Sequence, residues 1–214
     1  MVRVVCFDVG GVLIRITHHW QKAAECAGIR IGDAVPAGAV LTDAPHFETF
    51  QRGEISDDTY LEGLAKYLGG IKREEALSIH NRIMMEPYPG VEQLVRSIND
   101  TGILTGCLSN TNGPHWHDMF HSGRFPANEL LTVRLASHEV GLEKPDPRIF
   151  ARFEDRCAVG GSEIAFFDDS PLNVEAASRL GWQSWIIDPN VSTVPQMEHF
   201  LSEAGISLEC SGHL

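Results

Sequence analysis

Basic residues are scarce in this sequence. Its 214 residues include 17 Lys and Arg against 29 Asp and Glu, for a formal net charge of -12. A surface of that sign does not attract nucleic acid or anionic membranes, so neither is expected as a partner. An anionic small molecule would need local positive charge, from a metal or from a few placed Lys and Arg. Cysteine is sparse too. Cys6, Cys26, Cys107, Cys157 and Cys210 are odd in number, and no pair has metal-ligand spacing. Cys6 and Cys107 sit in apolar runs and read as buried structural thiols, a usage that suits a reducing compartment. No apolar run reaches the ~20 residues of a membrane-spanning helix. The opening Met-Val-Arg-Val-Val-Cys-Phe-Asp lacks a small-residue cleavage site and reads as a strand. A cytoplasmic location is therefore expected. There is no internal repeat and no low-complexity segment.

What is present is an ordinary globular composition, 43% hydrophobic and 21% charged, on a length that suits one large domain or a core with an insertion. Val2 to Asp8 is a β-branched apolar run that stops at Asp-Val-Gly-Gly, a buried strand entering a glycine turn. Val12 to Ile16 extends it or leads away. Residues 17 to 85 carry helical signals and no strong strand signal. Trp20, Ala23, Ala24 and Ala27 share one helical face. Ser56 is a good N-cap before Asp57 and Asp58, and Tyr60, Leu61, Leu64, Tyr67 and Leu68 recur at helical spacing. A further helix is expected between Lys72 and Met84. Glu86-Pro87-Tyr88-Pro89-Gly90 reads as a linker.

Beyond it, strand and helix alternate. Val91 to Gly102 is an amphipathic helix and Ile103 to Leu108 a strand ending in Ser109-Asn110. A short helix follows Pro114, and Leu130 to Ala136 is a strand candidate. Asp146-Pro147 opens another helix. Ile164 to Phe167 is a strand ending in Asp168-Asp169, Ser170-Pro171 caps a helix, Trp182 to Ile187 is a strand, and Val194 to Ala204 closes the series. This alternation predicts an α/β architecture, a Rossmann-like parallel sheet covered on both faces, with an inserted α-helical cap. The expected division is a core of residues 1–14 and 86–214 and a cap of residues 15–85.

In an open α/β sheet, ligands bind at the carboxyl ends of the strands. Strands here end in Asp8, in Ser109 and in Asp168-Asp169. Three carboxylates in one crevice repel one another unless a cation joins them, and a hard divalent ion with oxygen ligands, magnesium first, answers that need.

These residues also carry a resemblance. Phe7-Asp8-Val9-Gly10-Gly11-Val12-Leu13, Leu108-Ser109-Asn110, Lys144-Pro145 and Phe166-Phe167-Asp168-Asp169 resemble, in order, the four motifs of the haloacid dehalogenase-like hydrolase superfamily. The helical insertion resembles its C1-type cap. Arg52-Gly53-Glu54-Ile55-Ser56-Asp57, Leu108-Ser109-Asn110-Thr111-Asn112 and the Asp168-Asp169 motif look similar to a branch that includes bacterial α-glucose 1-phosphate phosphatases. The resemblance implies a phosphatase acting on a small phosphate ester. Asp8 would be the nucleophile that forms an aspartyl-phosphate. Asp8, the Gly10 carbonyl, Asp169 and Asp168, the last directly or through a water, would hold Mg²⁺. Ser109 and the Asn110 N–H would bind phosphoryl oxygens, and Lys144 would pair with Asp8 and the phosphoryl group.

Gly10 departs from the superfamily pattern. Most of its phosphatases have a second Asp there, which protonates the leaving group, a contribution of about 10²–10⁴-fold. The resembling sugar-phosphate branch also has glycine. Its absence points to a good leaving group, a water, or another proton donor. His18, His19 and Arg15, where the chain enters the cap, are read first as exposed hinge residues and second as groups facing the substrate. Asn173 is read either as orienting Lys144 or a metal-bound water, or as a surface amide. His115 and His117, two apart on a helix, do not face each other and are not taken as a metal pair. Arg52 and Glu54 shape a turn, and Trp116 packs. A 2-haloacid dehalogenase and a phosphate-binding regulator are the alternatives. No local motif encodes the ester or the oligomeric state.

Overall fold

The computed structural model describes residues 1–208. β1 (Val4–Phe7) is buried at every position. Its alternate side chains enter different layers. Val5 and Phe7 join the apolar cluster that holds Val91, Leu94, Val95 and Ile98 of the helix α5 (Val91–Asp100), together with Met197 and Leu201. Val4 and Cys6 join the cluster that holds Ile149, Phe150 and Phe153. A strand covered on both faces has no polar side, which is why its sequence is continuously apolar.

β2 (Ile14–Ile16) leads out of the core and pairs antiparallel with β3 (Met84–Pro87), Ile16 opposite Met84. Between these two strands lie α1 (Trp20–Ala27), a 3₁₀ turn (Leu41–Asp43), α2 (Phe47–Gln51), α3 (Asp57–Tyr67) and α4 (Arg73–Asn81). Their buried residues form an apolar cluster of their own, running from Trp20 to Ile83. Ser56 caps α3 as expected, its hydroxyl accepting from the Thr59 N–H. The segment read as a linker is in part strand β3. Pro87, which has no N–H to donate, stands at the strand's end, and the next residue's N–H bonds to the Leu13 carbonyl. This correction also puts Met84 and Met85 in a strand.

The core resumes with α5, β4 (Leu104–Ser109), α6 (Gly113–His121), α7 (Pro126–Glu129), β5 (Val133–Ala136), α8 (Ser137–Val140), α9 (Pro147–Cys157), β6 (Ile164–Asp168), α10 (Pro171–Arg179), β7 (Gln183–Ile186) and α11 (Thr193–Glu203). The sheet has five strands in the order β5-β4-β1-β6-β7, and each neighbouring pair is parallel. β5 starts later than its apolar run suggests, because Leu130 and Leu131 close the short helix α7. Ser170 heads α10, but its side chain makes no capping bond; its N–H donates to Asp168 instead. The fold is therefore the expected α/β sheet with a helical insertion after the first strand. Cys6 and Cys107 are buried free thiols, as expected; Cys210 lies outside the described residues. Among the described residues no helix is long and apolar enough to cross a membrane.

Candidate active site

The three central strands run parallel, so their carboxyl ends meet at one edge. Phe7 is level with Cys107 on one side and Phe167 on the other, which brings the next residues, Asp8, the end of β4 and Asp168, into one crevice. The Asp8 N–H continues the ladder to the Phe167 carbonyl at 2.8 Å. Its carboxylate then accepts from the Val9 N–H at 2.7 Å. The chain turns away through Gly11, which has φ +74°. A Cβ at Gly11 would stand 2.3 Å from the Asp169 carboxylate oxygen. Glycine is needed there both for the left-handed backbone and for room beside Asp169.

Lys144 joins the carboxylates. Its Nζ lies 2.7 Å from Asp168 Oδ2 and 3.0 Å from Asp8 Oδ1, on a side chain only 1% exposed. The Lys144 backbone is fixed by a reciprocal pair of bonds. Its N–H donates to Asn110 Oδ1, and Asn110 Nδ2 donates to its carbonyl, both at 2.8 Å. The Asn110 side chain is thus engaged, and its backbone N–H is what it can offer a ligand. Ser109 ends β4, 3% exposed.

Asp168 is wholly buried and accepts four contacts. Besides Lys144, the Ser170 N–H donates at 2.8 Å, and Asn173 Nδ2 reaches both oxygens, at 3.0 and 3.1 Å. Asn173 is therefore no surface amide; it orients Asp168, and through it Lys144. Asp169 is the less buried of the pair.

Carboxylate oxygens of Asp8, Asp168 and Asp169 lie within 4.8 Å of one another. Burial pushes the Asp8 pKa up to about 7; Lys144 opposes this, and Asp168 and Asp169 add to it. Asp169 is raised too, by burial first and then by Asp168. Lys144 keeps its proton despite burial, because Asp168 and Asp8 face it. Three carboxylates against one ammonium leave an excess of negative charge, the donor set of a hard divalent cation. The fit is also steric, since the Asp169 carboxylate lies over a glycine that leaves it room.

Arg15 stacks its guanidinium 4.5 Å above the Tyr88 ring. His18 and His19 are exposed. Arg52 pairs with Glu54 at 2.7 Å and also reaches Glu143, next to Lys144, at 3.4 Å. His115 is buried, while His117 is exposed with its ring centroid 5.1 Å from that of His121, so His115 and His117 do not form a metal pair. Trp116 packs edge-on to Phe120. Where Gly10 stands, a Cβ would meet Ile16 side-chain carbons at 3.2 and 3.3 Å. Gly11 and Asn112 stand inside the sequence motifs without a role of their own assigned there, and His80 stands outside them. The Asn-Gly-Pro signal of a capped helix start marked Asn112, and nothing local marked His80. A surface cavity of about 640 Å³ beside β5, with Val133, Arg134 and Arg156 in its wall, contains none of these residues.

Comparison with known proteins bears on this geometry. The model of a hydrolase family, haloacid dehalogenase-like hydrolase, matches residues 2–181. The chain is 26% identical over 212 residues to mouse acyl-CoA dehydrogenase family member 10, covering 93% of this chain but only 19% of that protein. It is 26% identical over 227 residues to phosphatase MT3486 of Mycobacterium tuberculosis (strain CDC 1551 / Oshkosh), covering 99% of each. The fold matches that of HAD family enzyme bt-2542 from Bacteroides thetaiotaomicron, solved in complex with magnesium and inorganic phosphate. That match has a TM-score of 0.75 and 20% identity, and it covers 89% of this chain and 96% of the other.

Proposed function

The chain belongs to the haloacid dehalogenase-like hydrolases, and on that premise we propose that it is a magnesium-dependent phosphatase of a small phosphorylated metabolite, a sugar phosphate being the first candidate. One observation carries the reading. A buried lysine ammonium stands between Asp8 and Asp168, with Asp169 completing a carboxylate cluster beside Ser109 at the strand ends.

In this reading the Asp8 carboxylate attacks phosphorus. An aspartyl-phosphate bond forms as the bond to the leaving alkoxide breaks. Water then attacks the phosphorus, releasing phosphate and restoring the carboxylate. Lys144 favours the ionised form of Asp8 and aims it, and its charge balances the phosphoryl oxygens as negative charge redistributes. Ser109 and the Asn110 N–H hold those oxygens. Asp168 and Asn173 hold Lys144 in place. Asp8, the Gly10 carbonyl, Asp169 and Asp168 would hold magnesium, which when bound neutralises charge between nucleophile and phosphoryl group. Gly10 moves no proton, so the leaving group must depart readily, as anomeric and acyl phosphates do, or take its proton from water or from a residue of the insertion.

The division into a core of residues 1–14 and 86–214 and a cap of residues 15–85 belongs to the same proposal. Its support is the separate apolar cluster between Trp20 and Ile83. The cap would exclude water and select the ester. A panel of small phosphate esters, assayed with magnesium on the wild type, Asp8→Asn and Gly10→Asp, tests the reading. Phosphate release that is lost in a folded Asp8→Asn supports it, and unchanged release overturns it. Chloride release from 2-haloacids that survives chelation would identify a dehalogenase instead, and binding of the whole panel without turnover would identify a regulator.

A further inference from the structure

A second polar cluster lies outside the carboxylate site, buried between the insertion and the core. Its members are His80 of α4, Tyr60 of α3, and Asn112 and His115 at the start of α6. His80 and Asn112 are wholly buried and His115 is 5% exposed. The two imidazoles stack face to face, with centroids 4.0 Å apart and planes at 8°.

The hydrogen bonds of this cluster determine one another. His115 Nε2 lies 2.8 Å from the His80 backbone carbonyl, which can only accept. His115 Nε2 therefore carries the proton, and in the neutral ring Nδ1 accepts, from Asn112 Nδ2 at 3.4 Å. Asn112 Oδ1 accepts from the His115 backbone N–H at 3.1 Å, which fixes the amide's orientation. His80 Nε2, 3.0 Å from the same oxygen, must then donate. His80 Nδ1 is left to accept from the Tyr60 hydroxyl at 3.3 Å. Both rings are neutral and both are protonated at Nε2. Burial holds both below the usual histidine range.

This chain of bonds ends at residues that matter. Asn112 is the third residue after Ser109. Along that segment Asn110 bonds the Lys144 backbone. The Thr111 N–H donates to Ser137 Oγ, whose hydroxyl also lies 2.6 Å from the Gln51 carbonyl of the insertion. Asn112 bonds His80 of the insertion. Successive residues thus clamp the loop to the catalytic lysine's backbone, to α8 and to the insertion.

We propose that His80 is a positioning residue. Through Asn112 it fixes the Ser109-Asn110 loop in its phosphate-receiving position, so that docking of the insertion and assembly of the phosphate site are one event. The inference rests on the reading of Ser109 and Asn110 as phosphate ligands.

The test is inorganic phosphate binding to the full chain with magnesium, by calorimetry or product inhibition. His80→Phe keeps a flat ring in the stack and removes the donor. His80→Gln can still donate near the Nε2 position. Asn112→Ser keeps a capping oxygen for α6 but does not reach His80. Loss of one buried hydrogen bond corresponds to roughly a 2–10-fold change. Phosphate affinity should fall by about that factor in His80→Phe and Asn112→Ser, with no further fall in the double variant, and should be largely kept in His80→Gln. A folded His80→Phe that binds phosphate like the wild type overturns the proposal, as does an equal loss in His80→Gln. Ser109→Ala separates the two claims. If it leaves phosphate binding unchanged, the loop reading fails; if it weakens binding while His80→Phe does not, only the coupling fails. Should the His80 variants not fold, nitrogen NMR of the wild type decides. Phosphate must shift the His80 imidazole and Asn112 side-chain signals, and unmoved signals refute the coupling.

Discussion

Lys144→Met keeps the length and bulk of the side chain and removes its charge. In the folded protein that charge lies 2.7 Å from Asp168 and 3.0 Å from Asp8. Asp168 is wholly buried, so the variant leaves it with amide donors and no counter-charge. Removing one partner of a buried pair costs about 3–5 kcal/mol. Proton uptake by Asp8, already pushed up to about 7, relieves part of this and places the effect near the lower figure. At about 2–4 °C per kcal/mol for a chain of this size, metal-free Lys144→Met should melt roughly 6–12 °C below the wild type near neutral pH. The cost is that of an orphaned charge, so Asp168→Asn in the same background should recover stability, and a double-mutant cycle by calorimetry or circular dichroism should give a coupling above about 2 kcal/mol. A melting point within about 2 °C of the wild type, or two substitutions that simply add, would refute the claim that the Lys144 ammonium is the counter-charge of buried Asp168.

Other tests use different parts of the molecule. Gly11→Ala forces a Cβ to within 2.3 Å of the Asp169 carboxylate at φ +74°. The left-handed backbone alone costs an alanine roughly 1–2 kcal/mol, and the displaced carboxylate should weaken magnesium binding, measured by calorimetry, by about tenfold or more; unchanged affinity would remove Asp169 from the site. Stability should also depend on pH through His115. Burial holds its folded pKa down to about 4, against about 6.5 in the unfolded chain. The unfolded state therefore binds more protons between these values. The contribution is complete above about pH 6.5 and is lost as pH falls toward 4, by up to about 3 kcal/mol. Urea unfolding at several pH values should show this slope reduced in His115→Gln; an unchanged slope would contradict the neutral buried imidazole.

Much of the sheet was legible because its central strands β1 and β6 are buried on both faces. Val4 to Phe7 and Ile164 to Phe167 read as continuous apolar runs for that reason, and each run stops where an acidic residue faces the crevice. The capped helices were equally clear, since Ser56 and Asp146 satisfy local N–H groups that do not depend on the rest of the fold. The stem strand β3 was hidden behind Pro87 and Pro89, which mark a turn in most contexts. The short helices α2, α7 and α8 span only a turn or so, too little for a periodic signal. At the site, Asp8, Lys144, Asp168 and Asp169 were recognised and are found together. The reason Gly11 must be glycine was not legible, because it lies in Asp169, far along the chain. His80 was invisible for the same reason: its partners, the Tyr60 hydroxyl, the Asn112 amide and the His115 ring, lie 20 to 35 residues away along the chain.

The central claim concerns Asp8 itself. Acid quench of the enzyme during turnover of an active phosphate ester, followed by proteolysis and peptide mass spectrometry, looks for the covalent intermediate directly. The account predicts acid-stable, base-labile phosphate on the peptide containing Asp8, and none in Asp8→Asn. Steady turnover with no phosphate on that peptide, or with phosphate on another residue, would contradict it.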